Sequence, residues 1–388
     1  MEHVNSFCCK NLYKPGVSGR GSLIRIKDGR ISEIIETDDV SGCEFNASRL
    51  NAAPGFVDLH IQGCGGSDFL DATPEAVRTI RKTALKGGCT SLLATCTFDN
   101  EENAFDRLEN MTDAIREGSK GSGARIIGIH LEGPWLNIEK QGGFGNKYFR
   151  SPTPEDFAKV CDIVGDDLKM ITIAPELPGA KEVISEAVKK GIVVALGHTT
   201  VDFDGAMEAF NLGADHMTHL FNAMTGLHHR NPGPIGAAFI RNDVFVQIIP
   251  DGIHIHQSVL KIIFRQKGPE RICLITDATA PCGLPEGTEL QGVGGTIKVK
   301  DGGVRLPDGT LAGSALLMDE AVRRMHDLAE IPLEATLEMA SLTPACAIRM
   351  QDSIGKAEAG YMADFVLFDD ELNIHYVIKE GELYDLKS

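Results

Sequence analysis

Six polar side chains that can bind metals or move protons lie at the ends of short apolar runs. They are His60 and Gln62 in DLHIQG, Glu132 in HLEGP, His198 in LGHTT, His219 in HMTHLFNAM and Asp277 in ITDATAP. Two imidazoles and a carboxylate form the donor set of zinc hydrolases, which leave a further position open for water. One buried histidine is usually a satisfied core residue, but several at matching positions favour a ligand role. Glu132, His198 and His219 are therefore the predicted metal ligands.

Asp277 has two interpretations. An aspartate before Ala-Thr-Ala-Pro is a good turn starter. Beside a metal, however, its carboxylate can take a proton from water and later hand it to a leaving group. We expect this catalytic role because Asp277 follows the last apolar run, where it would lie next to the predicted ligands.

Eight short apolar runs must position these side chains. They span residues 56–61, 90–96, 126–131, 170–174, 192–196, 216–220, 244–249 and 272–276. Helical signals separate most of them, such as Thr73 as a cap before Pro74. Eight buried strands alternating with helices predict an α/β fold, a (β/α)8 barrel (TIM barrel) whose active site lies at the carboxyl ends of the strands. A doubly wound open sheet is the structural alternative.

Both ends of the chain carry further strand signals, at residues 23–35 and 363–384. Because neither piece is long enough to bury a face alone, we expect residues 1–54 and 346–388 to pair into one small β-sandwich domain. Residues 55–345 would then form the barrel. The glycine-rich stretch 288–310 predicts a hairpin excursion after the eighth run.

Composition restricts the partners and the compartment. With 38 Lys+Arg against 55 Asp+Glu the net charge is −17, which argues against nucleic acid as a partner. No stretch approaches the roughly 18 apolar residues of a membrane helix, and the start lacks a signal-peptide core. We therefore expect a cytoplasmic protein without a membrane partner, whose ten cysteines are mostly buried reduced thiols.

Loop residues after the runs are candidates for ligand contact. Arg230 in LHHRNPGP is either an ordinary surface arginine or the cation that holds an anionic group, with His228 and His229 as weaker support. His254 in DGIHI either contacts polar groups of a substrate or belongs to the edge of the core.

The ordered motifs resemble those of the N-acetylglucosamine-6-phosphate deacetylases, within the amidohydrolase superfamily. PGFVDLHIQGCGG, EGPWLN, LGHTT, THLFNAM, RNPG, DGIH, TDATAP and LAGSAL occur in the order of that family over nearly the whole chain. The resemblance implies a (β/α)8 barrel with a small β-sandwich from both termini. It also implies hydrolysis of N-acetyl-D-glucosamine 6-phosphate to D-glucosamine 6-phosphate and acetate, in amino-sugar catabolism.

The resemblance assigns roles residue by residue. Glu132, His198 and His219 become the ligands of one divalent metal per subunit, with zinc first and iron, manganese or cobalt as alternatives, and Asp277 becomes the catalytic acid and base. The implied substrate-binding residues are Gly143, Asn222, Ala223, Arg230, Asp251, His254, Leu311, Ala312 and Gly313. Since the family's phosphate-binding arginine reaches in from the neighbouring subunit, Arg230 implies a homodimer that binds a small amino-sugar phosphate.

Two departures from the family pattern matter. Many two-metal amidohydrolases carry His-x-His on the first strand, whereas this chain has Gln62 after His60. One tight metal is therefore expected, with a weaker second site near His60 left open. Many deacetylases also place a histidine where Phe144 stands, and that histidine helps to polarise the amide carbonyl.

Three alternatives stay open. The substrate could be the galactosamine epimer, since one hydroxyl separates the two sugars. A cyclic amidase or deaminase of the superfamily would commonly carry His-x-His and, in the amidases, a bridging carboxylated lysine, and neither occurs at the expected strand ends. A sugar-phosphate-binding regulator without catalysis is disfavoured by the presence of all three ligands together with Asp277.

Overall fold

A closed barrel of eight parallel strands forms the centre of the computed structural model, which describes residues 2–14, 19–37, 39 and 41–386. The strands are β1 (Phe56–Ile61), β2 (Cys89–Cys96), β3 (Arg125–Glu132), β4 (Leu168–Ile173), β5 (Val193–Leu196), β6 (His216–Met217), β7 (Phe245–Ile248) and β8 (Ile272–Leu274). Each pairs with the next in chain order. The first and last strands meet where the amide of Gln62 donates to the carbonyl of Ala278 at 2.9 Å and that of Asp277 to His60 at 2.8 Å. This closure confirms the barrel and excludes the open sheet.

The strands form because helices cover the barrel on the outside and side chains fill it on the inside. Every residue of β1 and β2 is buried, as near-continuous apolar runs predict for doubly covered parallel strands. All eight predicted runs contain a strand. The sixth and eighth strands end earlier than predicted, because the backbone turns there to present His219 and Asp277.

Ten α-helices lie among the described residues. They are α1 (Pro74–Lys86), α2 (Ala104–Gly118), α3 (Pro154–Val164), α4 (Ala180–Lys189), α5 (Phe203–Asn211), α6 (Gly233–Ile240), α7 (Gln257–Lys267), α8 (Met318–Asp327), α9 (Leu333–Ala340) and α10 (Leu342–Ala347). The predicted cap of α1 is present, since Thr73 Oγ1 accepts from the amide of Ala76 at 3.2 Å. None of the helices described is long and apolar enough to cross a membrane.

Strands from both ends of the chain join in a second sheet. In spatial order they are Glu2–His3, Glu382–Asp385, Ile374–Lys379, Phe365–Phe368, Phe45–Pro54, Ser6–Leu12, Ser22–Lys27 and Arg30–Glu36. Hydrogen bonds connect all eight into one sheet, with a core of its own that includes Phe7, Ile24 and Phe365. The prediction that strands from the two ends of the chain pair with each other is confirmed. The boundaries 1–54, 55–345 and 346–388 stay a prediction, and residues 1, 15–18, 38, 40, 387 and 388 lie outside the described part.

The excursion after β8 is larger than the predicted hairpin. Glu289–Gly292, Gly295–Lys300, Gly303–Arg305 and Leu311–Ser314 form a four-stranded antiparallel sheet. A short hairpin follows β1, with two strands of two residues each, Gly63–Cys64 and Ser67–Asp68. Both small sheets stand at the carboxyl end of the barrel, where they help to enclose the cavity described below.

A buried arginine fixes the end of α2 against α1, and its removal should be costly. Arg81 is 1% exposed, and its guanidinium donates to the carbonyls of Gly118, Lys120, Gly121 and Ala124 at 2.7–2.9 Å. Arg81→Met leaves these carbonyls without their donor, so we expect the free energy of unfolding in urea to fall by about 2–4 kcal/mol.

Arg78 on the same helix is the matched control for this prediction. Its side chain is 37% exposed and pairs with Glu75 one turn away, so Arg78→Met should change the free energy of unfolding by less than about 0.5 kcal/mol. Equal effects of the two substitutions would contradict a special role for Arg81.

Candidate active site

Three predicted ligands converge at the carboxyl end of the barrel. Glu132 is the last residue of β3, and His198 and His219 each lie two residues beyond their strands. The two imidazole Nε2 atoms are 3.1 Å apart, and Glu132 Oε1 lies 3.1 Å from His219 Nε2 and 3.3 Å from His198 Nε2. All three side chains are buried. Two nitrogens and one carboxylate oxygen that face a common point fit a divalent metal ion.

A second contact prepares His198 as a ligand. Its Nδ1 lies 2.7 Å from the carbonyl oxygen of Lys140, which can only accept, so Nδ1 carries a hydrogen and donates it. The lone pair of a neutral His198 then lies on Nε2, the atom that faces Glu132 and His219. Such an outer hydrogen bond fixes both the tautomer and the ring orientation of a metal-binding histidine.

The other oxygen of Glu132 faces a second group of side chains. Its Oε2 lies 3.1 Å from His60 Nε2 and accepts from Gln62 Nε2 at 2.9 Å. His60 Nε2 also lies 3.2 Å from Asp277 Oδ1. His60, Glu132 and Asp277 thus form a second group whose geometry could hold an ion. Gln62 contributes an amide N–H there, where a further histidine would offer a lone pair.

The backbone is strained at three of these residues. The φ angles of His198, His219 and Asp277 are 46°, 29° and 48°. These values lie in the left-handed region, which residues other than glycine rarely adopt. Each such residue costs of order 1–3 kcal/mol and persists only where its surroundings determine it. The left-handed turn directs each side chain from the end of its strand towards the shared point.

Burial and mutual charge set the protonation of the site. Burial alone would raise the pKa of Glu132, but His60 and the hydrogen bonds from His198 and His219 hold it well below its usual range. Burial opposes the charge on His60, yet the nearby Glu132 and Asp277 carboxylates raise its pKa to about 9. Burial lowers the pKa of His219. Glu132 is therefore ionised and His219 neutral, which are the forms that bind metals.

A cavity of about 230 Å³ opens above this cluster. The predicted substrate residues that line it are Gly143, Asn222, Ala223, His254, Leu311, Ala312 and Gly313. The sequence interpretation did not identify Asp68, Thr279, Val293, Ile297 and Thr310, which also line it. Most of these come from the two small sheets. Glycine-rich turns were the only sequence signal for them.

Asp251 and Arg230 lie outside the cavity wall. The buried carboxylate of Asp251 accepts from His254 Nδ1 at 2.6 Å and from the backbone amide of His254 at 2.7 Å, so Asp251 reaches the cavity through His254. Arg230 is exposed, and its Nη1 lies 2.8 Å from Nε2 of the neighbouring His229. The substrate-binding roles of both residues stay predictions.

Phe144 lines the cavity beside a predicted ligand. Its ring meets the His198 imidazole edge to face, with centroids 5.2 Å apart and planes at 83°. Phenylalanine has no hydrogen-bond donor, so this position cannot polarise a carbonyl. The contact restricts the orientation of the His198 ring.

Comparisons with known proteins agree with this geometry. Residues 51–384 match the sequence model of the amidohydrolase family. The chain is 33% identical to N-acetylglucosamine-6-phosphate deacetylase of Lysinibacillus sphaericus, with 97% of each chain covered. It is 31% identical to N-acetylgalactosamine-6-phosphate deacetylase of Escherichia coli O157:H7, with 93% of this chain and 94% of the relative covered.

Solved structures give the same result for the fold. One is a mutant N-acetyl-D-glucosamine-6-phosphate deacetylase from Mycobacterium smegmatis in complex with N-acetyl-D-glucosamine-6-phosphate. It superimposes with a TM-score of 0.91 at 30% identity, over 98% of this chain and 99% of the other. The N-acetylglucosamine-6-phosphate deacetylase from Pasteurella multocida gives a TM-score of 0.92 at 31% identity, over 98% and 100%.

The position of Gln62 predicts the metal stoichiometry. We expect the protein to retain one divalent ion after dialysis, and Gln62→His to retain close to two, because an imidazole would add a lone pair beside His60, Glu132 and Asp277. Metal analysis by plasma mass spectrometry measures both. Gln62→Asn keeps the amide and should stay at one ion, whereas a single ion in Gln62→His would refute the prediction.

Proposed function

The chain belongs to the amidohydrolase family, and we propose that it hydrolyses N-acetyl-D-glucosamine 6-phosphate to D-glucosamine 6-phosphate and acetate, in cytoplasmic amino-sugar catabolism. The observation that carries this proposal is the convergence of Glu132, His198, His219 and Asp277 at the floor of one cavity. Near full-length similarity to relatives named for this activity supports the choice of substrate.

We infer one divalent metal ion on Glu132, His198 and His219, zinc first, with iron, manganese or cobalt as alternatives. When bound, such an ion lowers the pKa of its water and polarises the carbonyl oxygen of the substrate. Gln62 holds Glu132 Oε2 by its amide, which favours one tight ion. A weaker second site near His60 would need Asp277 as a ligand.

Asp277 is the residue that moves the proton in this proposal. Its Oδ1 lies 3.2 Å from His60 Nε2, which holds the carboxylate beside the ligands. As general base Asp277 takes a proton from the attacking water, and as general acid it later donates that proton to the nitrogen of the departing amino sugar. Without this second transfer the amine would have to leave as an anion, which is far less stable.

The cavity wall supplies the contacts to the sugar. Asn222 and Ala223 lie on the loop after β6, and His254 is aimed by its hydrogen bond to Asp251. We infer that these groups bind the hydroxyls and that Arg230 of a second copy binds the phosphate, which makes the active unit a homodimer. Leu227, 51% exposed on the same loop as Arg230, offers apolar surface for such a contact.

The galactosamine epimer is the second candidate substrate. A relative at 31% identity is named N-acetylgalactosamine-6-phosphate deacetylase, and the two sugars differ in the orientation of one hydroxyl. Cyclic amides are less well supported, because Gln62 stands where cyclic amidases commonly have a second histidine.

Release of acetate from the two epimeric 6-phosphates tests this function together with the role of Asp277. We expect faster release from the glucosamine epimer. Asp277→Asn should lower kcat about a thousandfold, because the amide cannot accept a proton, while the metal content is kept.

Thr279→Ser is the control for this assay, since it alters the cavity wall nearby without removing a titratable group, and we expect most of the activity to remain. Near-normal turnover by Asp277→Asn would refute the assignment of the acid and base. Absence of acetate release from both substrates by the metal-loaded protein would refute the proposed function.

Arg230→Ala should raise the KM for the phosphorylated substrate about 10- to 100-fold, since a charge-assisted bond is lost. Unphosphorylated N-acetylglucosamine should be hydrolysed as before. If Arg230 acts across a dimer, mixing Arg230→Ala with Asp277→Asn subunits should restore low-KM activity, because a mixed dimer contains one complete site. No recovery after subunit exchange would contradict the action across the interface.

A further inference from the structure

A carboxylate outside the cavity wall connects three of the loops that build the site. Glu176 lies three residues beyond β4. Its Oε1 accepts from Asn137 Nδ2 at 2.9 Å, from the amide of Thr200 at 2.6 Å and from Thr200 Oγ1 at 3.1 Å, while Oε2 accepts from Thr199 Oγ1. Glu176 thus joins the loops after β3, β4 and β5.

These bonds reach His198 through two segments of the chain. Thr199 and Thr200 directly follow His198, and the amide of Asn137 donates to the carbonyl oxygen of His198 at 2.9 Å. The loop that begins at Asn137 also contains Lys140, whose carbonyl oxygen fixes His198 Nδ1. The Glu176 carboxylate is therefore connected to the His198 backbone through Thr199 and Thr200 on one side and through Asn137 on the other.

The same network reaches the substrate loop. The amide of Thr199 donates to the carbonyl of Ala223 at 3.1 Å, and the amide of Thr225 donates to the carbonyl of Thr199 at 3.1 Å. Ala223 itself lines the cavity. A displacement of Thr199 would therefore move a metal ligand and a wall of the cavity together.

We propose that Glu176 is a positioning residue that holds His198 in its left-handed conformation and so sets the metal affinity of the site. The φ of 46° at His198 is unfavourable for a histidine in isolation, and four hydrogen bonds to one carboxylate offset that cost. The inference rests on the proposed metal site. A merely structural Glu176 would instead stabilise the fold without affecting metal binding.

Two substitutions at Glu176 separate these possibilities. Glu176→Ala removes all four bonds, and we expect the zinc Kd, measured by competition with a chelator, to rise at least about tenfold. Glu176→Gln keeps Oε1 as the acceptor for Asn137 and Thr200, and its amide can donate to Thr199 Oγ1. It should therefore keep the zinc Kd within about threefold of the original protein.

Asp369 is the matched control. Its carboxylate also organises a loop, since it accepts from the amide and side chain of Asn373 at 2.9 and 3.1 Å and lies 2.8 Å from His375 Nε2, but it belongs to the terminal sheet. Asp369→Ala should lower the thermal midpoint of the metal-free protein and leave the zinc Kd unchanged. The proposal requires a different result for Glu176→Ala. Its zinc Kd must rise, whether or not the thermal midpoint of its metal-free form also falls.

A milder variant keeps the test decisive if Glu176→Ala does not fold. Asn137→Ala cuts one connection of Glu176 and retains the backbone bond to His198, so we expect a zinc Kd raised about three- to tenfold. Unchanged zinc binding in the folded variants would overturn the proposed role of Glu176 but would leave the proposed function intact. If the original protein bound no divalent metal, the proposed function itself would fail.

Discussion

The site depends on one buried carboxylate, and each of its two oxygens faces two other side chains. Glu132 is 1% exposed, and an unpaired charge at that depth would cost several kcal/mol. Its Oε1 faces His198 and His219, and its Oε2 faces His60 and Gln62. Four side chains from three other strand ends must therefore reach the same carboxylate. Closure of the barrel between β8 and β1 is what brings them there.

Strain at the strand ends follows from the same constraint. Beyond Met217 and Leu274 the chain no longer continues as a strand, and the left-handed conformations of His219 and Asp277 take its place. The resulting free-energy cost is local, and hydrogen bonds to neighbouring loops offset it, as at His198. The carboxyl end of the barrel is thus built for orientation, while the buried strands below supply the stability that tolerates the strain.

Much of this arrangement can be predicted from the sequence, because the barrel relates position in the chain to position in space. Apolar runs locate the strands, and polar residues at their ends, such as Glu132 and His219, must then meet. Asp68 and Val293 could not be predicted in the same way. They belong to small irregular sheets, and close backbone contacts determine where those sheets lie. At one such contact, a Cβ added to Gly294 would lie 2.2 Å from the carbonyl oxygen of Gly143.

Residues that act through other residues are also difficult to predict from sequence motifs. Arg81 lies on the apolar face of α1, four residues from Val77 and from Leu85, and it is buried there because the carbonyls at the end of α2 need a donor. Glu176 has no unusual neighbours in the sequence. Its importance comes from the meeting of three loops that are far apart in the chain, and only tertiary structure shows that meeting.

The charge of the cavity supports the dimeric arrangement that we propose. Among the described residues that line it, the ionisable groups are the carboxylates Asp68, Glu132 and Asp277 and three histidines, with no lysine or arginine. The whole chain carries a net charge of −17, so its long-range field repels a phosphate dianion. The proposed phosphate contact therefore needs a strong cation from outside this wall. Arg230 is exposed on its loop and lies outside the cavity of its own chain, which is where an arginine that serves a neighbouring copy should be.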